Sequence, residues 1–167
     1  MTIRPVAAIA LMALVAGCTA EPQTSTANAA VAAAPGIAPS GLALVPLQIR
    51  GAGRAHRFTV EVAASEEEQS RGLMFRERLG ANEGMIFPFP APRPASFWMK
   101  NTLIPLDMIF ISADGTIQRI VENTVPHSLQ SVSSYGPVTA VLEIAGGRSA
   151  QLGLKEGDRV SWPGGPS

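Results

Sequence analysis

Asp107 and Glu122 are the residues whose spacing points most directly to chemistry. Asp114-Gly115 lies between two runs of β-formers, the strongest short-range hairpin signal a sequence can carry. A two-residue turn there sets Ala113 opposite Thr116, Ile109 opposite Ile120 and Asp107 opposite Glu122. Alternation then puts Asp107, Ile109 and Ile111 on one sheet face beside Gln118, Ile120 and Glu122. Directly opposed residues hold their Cβ atoms about 4.5–5.5 Å apart. Two ionised carboxylates at that distance repel unless a cation or a proton lies between them. Such a pair does acid–base work on a substrate, forms a structural salt bridge, or splays into solvent. A bulged turn would slip the register and separate the two.

The stretch Ser96-Phe97-Trp98-Met99-Lys100-Asn101 combines an indole, an ammonium and an amide. Alternation places Phe97, Met99 and Asn101 on one side and Ser96, Trp98 and Lys100 on the other. If accessible, Trp98 beside Lys100 is a platform for a sugar or a carboxylate; otherwise Trp98 is core and Lys100 snorkels past it. Met74, Met85, Met99 and Met108 with His127 would be soft ligands for Cu(I), but methionines so scattered are the usual filler of a core. No metal site and no cofactor is expected. Residues 123–137 have no strand or helix period, and an unstructured loop of about fifteen residues is usually functional or mobile. It carries His127, Tyr135 and several serines, yet no nucleophile elbow of the Gly-x-Ser-x-Gly kind.

These residues need elements to hold them. Apolar period two, punctuated by Gly and Pro, predicts strands near 44–50, 57–63, 84–88, 95–100, 106–112, 116–122, 138–145 and 158–162. Ser65-Glu66-Glu67-Glu68 is a capping-box signature for a helix that Gly72 ends, and a second helix is expected from Gly147 to Leu152 with Gly153 as its stop. The fold class is therefore β-rich α+β, a mostly antiparallel, barrel-like sheet of about seven to eight strands with two short helices. Residues 44–162 form this single domain and 163–167 a tail.

The first residues carry an address. Arg4 precedes an uncharged apolar run from Val6 to Val15, too short to span a bilayer at about ten residues but suited to a signal peptide. It closes on Leu14-Val15-Ala16-Gly17-Cys18, which resembles a bacterial lipoprotein box. That resemblance implies removal of residues 1–17 and lipid on Cys18, the single cysteine of the chain. Thr19 in the following position leans toward the outer membrane. Residues 18–43, rich in Ala, Pro, Thr and Ser, read as a disordered tether reaching roughly 25–30 Å. The expected location is the bacterial cell envelope, lipid-anchored and facing the periplasm. Thirteen Lys and Arg balance thirteen Asp and Glu, which argues against bulk attraction to nucleic acid. One cysteine excludes an intramolecular disulfide and a thiolate zinc cluster.

Several blocks occur in a characteristic order: Arg71-Gly72-Leu73-Met74-Phe75, Glu83-Gly84-Met85-Ile86-Phe87, Phe97-Trp98-Met99-Lys100-Asn101-Thr102, Ile104-Pro105-Leu106-Asp107, Val141-Leu142-Glu143 and Gly157-Asp158-Arg159-Val160. Over residues 57–162 they resemble the bacterial and archaeal family known as domain of unknown function 192. The resemblance implies a compact β-rich fold, often on an exported or membrane-anchored chain, and brings no activity, cofactor or catalytic residue with it. Proximity within these motifs makes Lys100 and Arg71 the candidate cations for the acid pair. Ser149–Asp158 also resembles a segment of PDZ domains, but too little chain follows to complete one. The function expected is a non-enzymatic module binding a small ligand, a glycan or a protein, with Arg71, Trp98, Lys100, Asn101, Asp107, Glu122 and His127 as candidate contacts. The alternative is an acid–base enzyme using Asp107 and Glu122 on an envelope substrate.

Overall fold

The computed structural model describes residues 36–166. The expected signal segment 1–17, Cys18 and most of the expected tether lie outside the described residues. Ten strands and two helices follow in chain order: β1 (Gly36–Ile37), β2 (Ala43–Gly51), β3 (Arg54–Val62), α1 (Glu66–Arg71), β4 (Glu83–Arg93), β5 (Ser96–Phe97), β6 (Leu106–Ile111), β7 (Ile117–Val121), β8 (Val132–Ser133), β9 (Val138–Ala145), α2 (Arg148–Leu152) and β10 (Arg159–Ser161). Eight strands form one sheet in the order β1-β2-β3-β4-β9-β6-β7, with β10 paired to β2, while β5 and β8 pair separately.

Two features of the expected sheet are corrected. The sheet is mixed, because β3 and β4 run parallel, with Val60 beside Gly84 and Val62 beside Ile86. Parallel neighbours need a crossover, and α1 lies in the chain between them. The sheet is also not closed into a barrel. Its far ends meet through one isolated bridge, Thr116 to Arg159, rather than a full ladder.

Both faces of the central strands are covered. One face buries Leu47, Ile49, Phe58, Ile86, Ile109 and Leu142 with their neighbours. The other buries Leu73, Met85, Phe87, Met99, Met108 and Val141. Every residue of β6 is buried, so its apolar run is the signature of a strand sandwiched on both sides. Full burial of each such side chain contributes roughly 1.5–3 kcal/mol.

The helices match their signals. Ser65 accepts from the Glu68 N–H while Glu68 reaches back to the cap, and Gly72, at φ 47°, ends the helix. Gly153 ends α2 at φ 67°. By contrast, the expected strand 95–100 shrinks to Ser96–Phe97, because the chain turns at Met99–Thr102.

Strand pairing also begins before residue 44. Gly36–Ile37 pairs with Ala43–Leu44, Ala38 is buried, and the Ser40 hydroxyl donates to Glu61. We expect a chain beginning at residue 43 to melt several degrees below one beginning at residue 36, since about 1 kcal/mol moves a domain of this size by a few degrees. Scanning calorimetry of the two chains checks this; equal midpoints would mean that the segment contributes nothing.

Candidate ligand-binding site

The β6–β7 hairpin keeps the register read from the sequence over most of its length: Ile109 faces Ile120 and Met108 faces Val121. A bulge near the turn shifts only the last pairs, Ile111 now facing Ile117. Asp107 and Glu122 therefore occupy adjoining positions, yet the structure does not bring them into one site. Asp107 is fully buried (0% exposed). Its Oδ1 accepts the backbone N–H groups of Asn123 and Gly147 at 2.8 Å each, and its Oδ2 that of Ser149 at 2.7 Å. Gly147 is the N-cap of α2 and offers no side chain, so Asp107 serves as a cap supplied from a distant strand. Glu122 is exposed. Backbone amides, rather than Lys100 or Arg71, offset the buried charge.

A cavity of about 770 Å³ opens elsewhere, on the second face of the sheet. Arg71 and Leu73 at the end of α1, Phe89 and Arg93 of β4, and Trp98 and Lys100 just after β5 line it. Three local events of the chain make these walls. The stop of α1 at Gly72 turns the chain close to β4, where a Cβ on that glycine would sit 3.4 Å from the Phe87 ring. Next, β4 leaves its ladder with β9 between Pro88 and Arg93. Pro88, Pro90 and Pro92 cannot donate ladder hydrogen bonds, so this stretch bulges outward. Last, the turn at 99–102 buries Met99 and leaves Trp98 50% exposed. Lys100 Nζ lies 5.2 Å from the Trp98 ring centroid, and the Arg93 guanidinium 3.9 Å from that of Phe89. The alternation expected for 96–101 thus survives as a division between inside and outside, without the strand.

The floor of the cavity holds Glu143. It sits on β9 between Met85 of β4 and Met108 of β6 and is only 4% exposed. Burial among these side chains pushes its carboxyl up to about 8, because a charge there is poorly solvated. Desolvation alone causes the shift; neither a hydrogen bond nor a nearby charge offsets it. At neutral pH the floor of the cavity is therefore a neutral acid able to donate a proton or a hydrogen bond. Arg71, Arg93, Lys100 and Glu66 complete its charged lining. Among the described residues the ion pair formed is Arg76–Glu61, so the three cavity cations have no carboxylate partner.

The comparisons agree with the sequence resemblance. The family model described as "Uncharacterized ACR", DUF192, matches residues 47–162. The chain belongs to the DUF192 family. A crystal structure of a protein of unknown function from Novosphingobium aromaticivorans DSM 12444 is 48% identical, with a TM-score of 0.77, covering 78% of this chain and 94% of that one. A second, described as a "putative transcription regulator" from Sinorhizobium meliloti 1021, is 44% identical, with a TM-score of 0.72, covering 74% of this chain and 96% of that one. No curated protein matches the chain.

In this DUF192 domain the candidate contacts divide. Arg71, Trp98 and Lys100 line the cavity. Asn101 does not line it; at φ 57° its carbonyl accepts the Phe75 N–H. His127 is exposed and does not line the cavity, although its backbone N–H donates to the carbonyl of Thr102, which does. Met85, Met99 and Met108 are buried core, and no group of three His, Cys, Asp or Glu positioned for a metal occurs among the described residues. Sequence reasoning missed Glu143 as a chemical group. Its signal was an acid inside an otherwise apolar strand, Val141-Leu142-Glu143-Ile144.

Proposed function

We propose that this DUF192 domain is a binding module for a small ligand, carried on a lipid-anchored chain at the bacterial envelope. One observation carries the reading: a buried carboxyl without a protein partner forms the floor of an open cavity rimmed by cations and an exposed indole. Buried polar groups are ordinarily hydrogen-bonded, and one left open in a cavity is poised for a ligand. The ligand class is a small molecule or a glycan fragment. The balanced charge of the chain disfavours a nucleic-acid partner.

Truncating the platform tests the site. Trp98→Ala should leave the melting temperature within a few degrees, since half the ring is already in water, and should weaken ligand binding by about tenfold or more, the loss of roughly 1.4 kcal/mol of stacking. Titration calorimetry against fragments of envelope glycans and small metabolites reads this; binding unchanged by Trp98→Ala would move the site elsewhere.

The anchor rests on the Leu14–Cys18 box. Several acyl chains on one residue hold a protein to a bilayer, at about 0.8 kcal/mol per buried methylene. No helix among the described residues is long and apolar enough to cross a membrane. Labelled palmitate should enter the wild-type chain and not Cys18→Ala. Label persisting in the variant would refute lipid at that position. Facing the periplasm from the outer membrane is the placement Thr19 favours.

A further inference from the structure

The cavity has a polarity along its depth that selects a ligand class. At the mouth stand Arg71, Arg93 and Lys100 against one acid, Glu66. Trp98, half exposed, stands with them and offers a flat apolar surface that suits a ring, while Phe97 is half-buried and Phe89 buried further in. At the floor is the unpartnered Glu143 carboxyl. We propose that the site takes an anionic, ring-bearing small molecule, a carboxylate on a sugar or aromatic ring, with its charge at the cationic mouth and a hydrogen-bond acceptor against Glu143.

This inference rests on the cavity being a binding site and adds the chemistry of its occupant. Arginine pairs with a carboxylate through two parallel N–H groups, and lysine adds a point charge beside the indole. A neutral Glu143 donates to an ether, hydroxyl or carbonyl oxygen at the deep end. An ionised Glu143 would instead repel the same ligand. Met85 of β4 and Met108 of β6 flank it and carry no charge. Glu61 is one strand beyond Met85 and already paired with Arg76. Glu66 and Arg71 of α1, Arg93 of β4 and Lys100 line the cavity itself. Since burial holds the carboxyl protonated up to about pH 8, affinity for a carboxylate should be flat from about pH 6 to neutrality, where the ligand stays ionised, and fall as pH rises past about 8.

Glucuronate and benzoate, each compared with its uncharged counterpart glucose or benzyl alcohol, test the proposal by calorimetry on the folded domain. At least one acid should bind about tenfold more tightly than its counterpart, a difference of roughly 1.4 kcal/mol. Arg71→Ala and Lys100→Ala, both at exposed positions, should each weaken that acid while leaving the melting temperature in place. Glu143→Gln, whose amide has no proton to lose, should abolish the fall above pH 8; a fall that persists in this variant would overturn the role given to Glu143. Neutral counterparts that bind as well as the acids, with Trp98→Ala still weakening them, would overturn the anionic assignment and keep the binding module. If no probe binds and no cavity substitution matters, both readings fail.

Discussion

Asp107→Ala is expected to cost the domain about 4 kcal/mol, among the largest losses any single substitution here can produce. The aspartate side chain ends three loose ends of the chain at once: the exit from β7 at Asn123, the turn after β9 at Gly147 and the first turn of α2 at Ser149. Each is a backbone N–H bonded to an ionised oxygen, worth roughly 1.5–3 kcal/mol. The Ser149 bond is buried, so alanine would strand that donor; the other two are partly buried and regain some water. Asp107→Asn should cost less, roughly 2 kcal/mol, because one oxygen still accepts two N–H groups while the amide nitrogen faces the third. Glu122→Gln, at an exposed position, should fall within about 0.5 kcal/mol of wild type. Urea titrations decide the matter: the midpoint should drop for both Asp107 variants with an unchanged slope. An Asp107→Ala protein as stable as wild type, or a Glu122→Gln change of equal size, would defeat this account.

The contrast between those two carboxylates shows which part of the fold the sequence discloses. Hairpin register follows from local turn chemistry and period-two alternation, so Ile109 opposite Ile120 could be read directly. Helix ends were equally legible, because Ser65, Glu68, Gly72 and Gly153 act within one turn of themselves. What Asp107 touches could not be read, since its partners lie 16, 40 and 42 residues away. The parallel pairing of β3 and β4 is likewise non-local and depends on how the α1 crossover packs. The three alternate prolines, Pro88, Pro90 and Pro92, did announce a break in the ladder. That the break would open a cavity depends on Arg71 and Trp98 arriving from other segments. Glu143 was harder still. On a strand covered on both faces, alternation no longer separates inside from outside, and a single acid there is conspicuous only by its cost of desolvation.

That cost sets the second large effect. Glu143→Gln should stabilise the domain at pH 8 by on the order of 4 kcal/mol and change it little at pH 4. The carboxyl rises from 4.5 when solvated to about 8 in the fold. Below its solvated value both folded and unfolded chains hold the proton, and the residue imposes no electrostatic cost. As pH climbs above 4.5 the unfolded chain releases the proton and the folded chain does not. Stability then falls by about 1.4 kcal/mol per pH unit until the folded value is passed, beyond which the loss is complete. Glutamine has the same shape and no proton to lose, so its stability should lack this slope. Denaturation midpoints of both proteins from pH 4 to pH 9 would show curves that meet in acid and diverge toward pH 8. Parallel curves would mean that water or a mobile side chain already solvates the carboxyl. A domain that keeps so costly a group at the floor of an open cavity is less stable at neutral pH than its glutamine variant, and a ligand that accepts the Glu143 proton in a hydrogen bond would recover part of that difference.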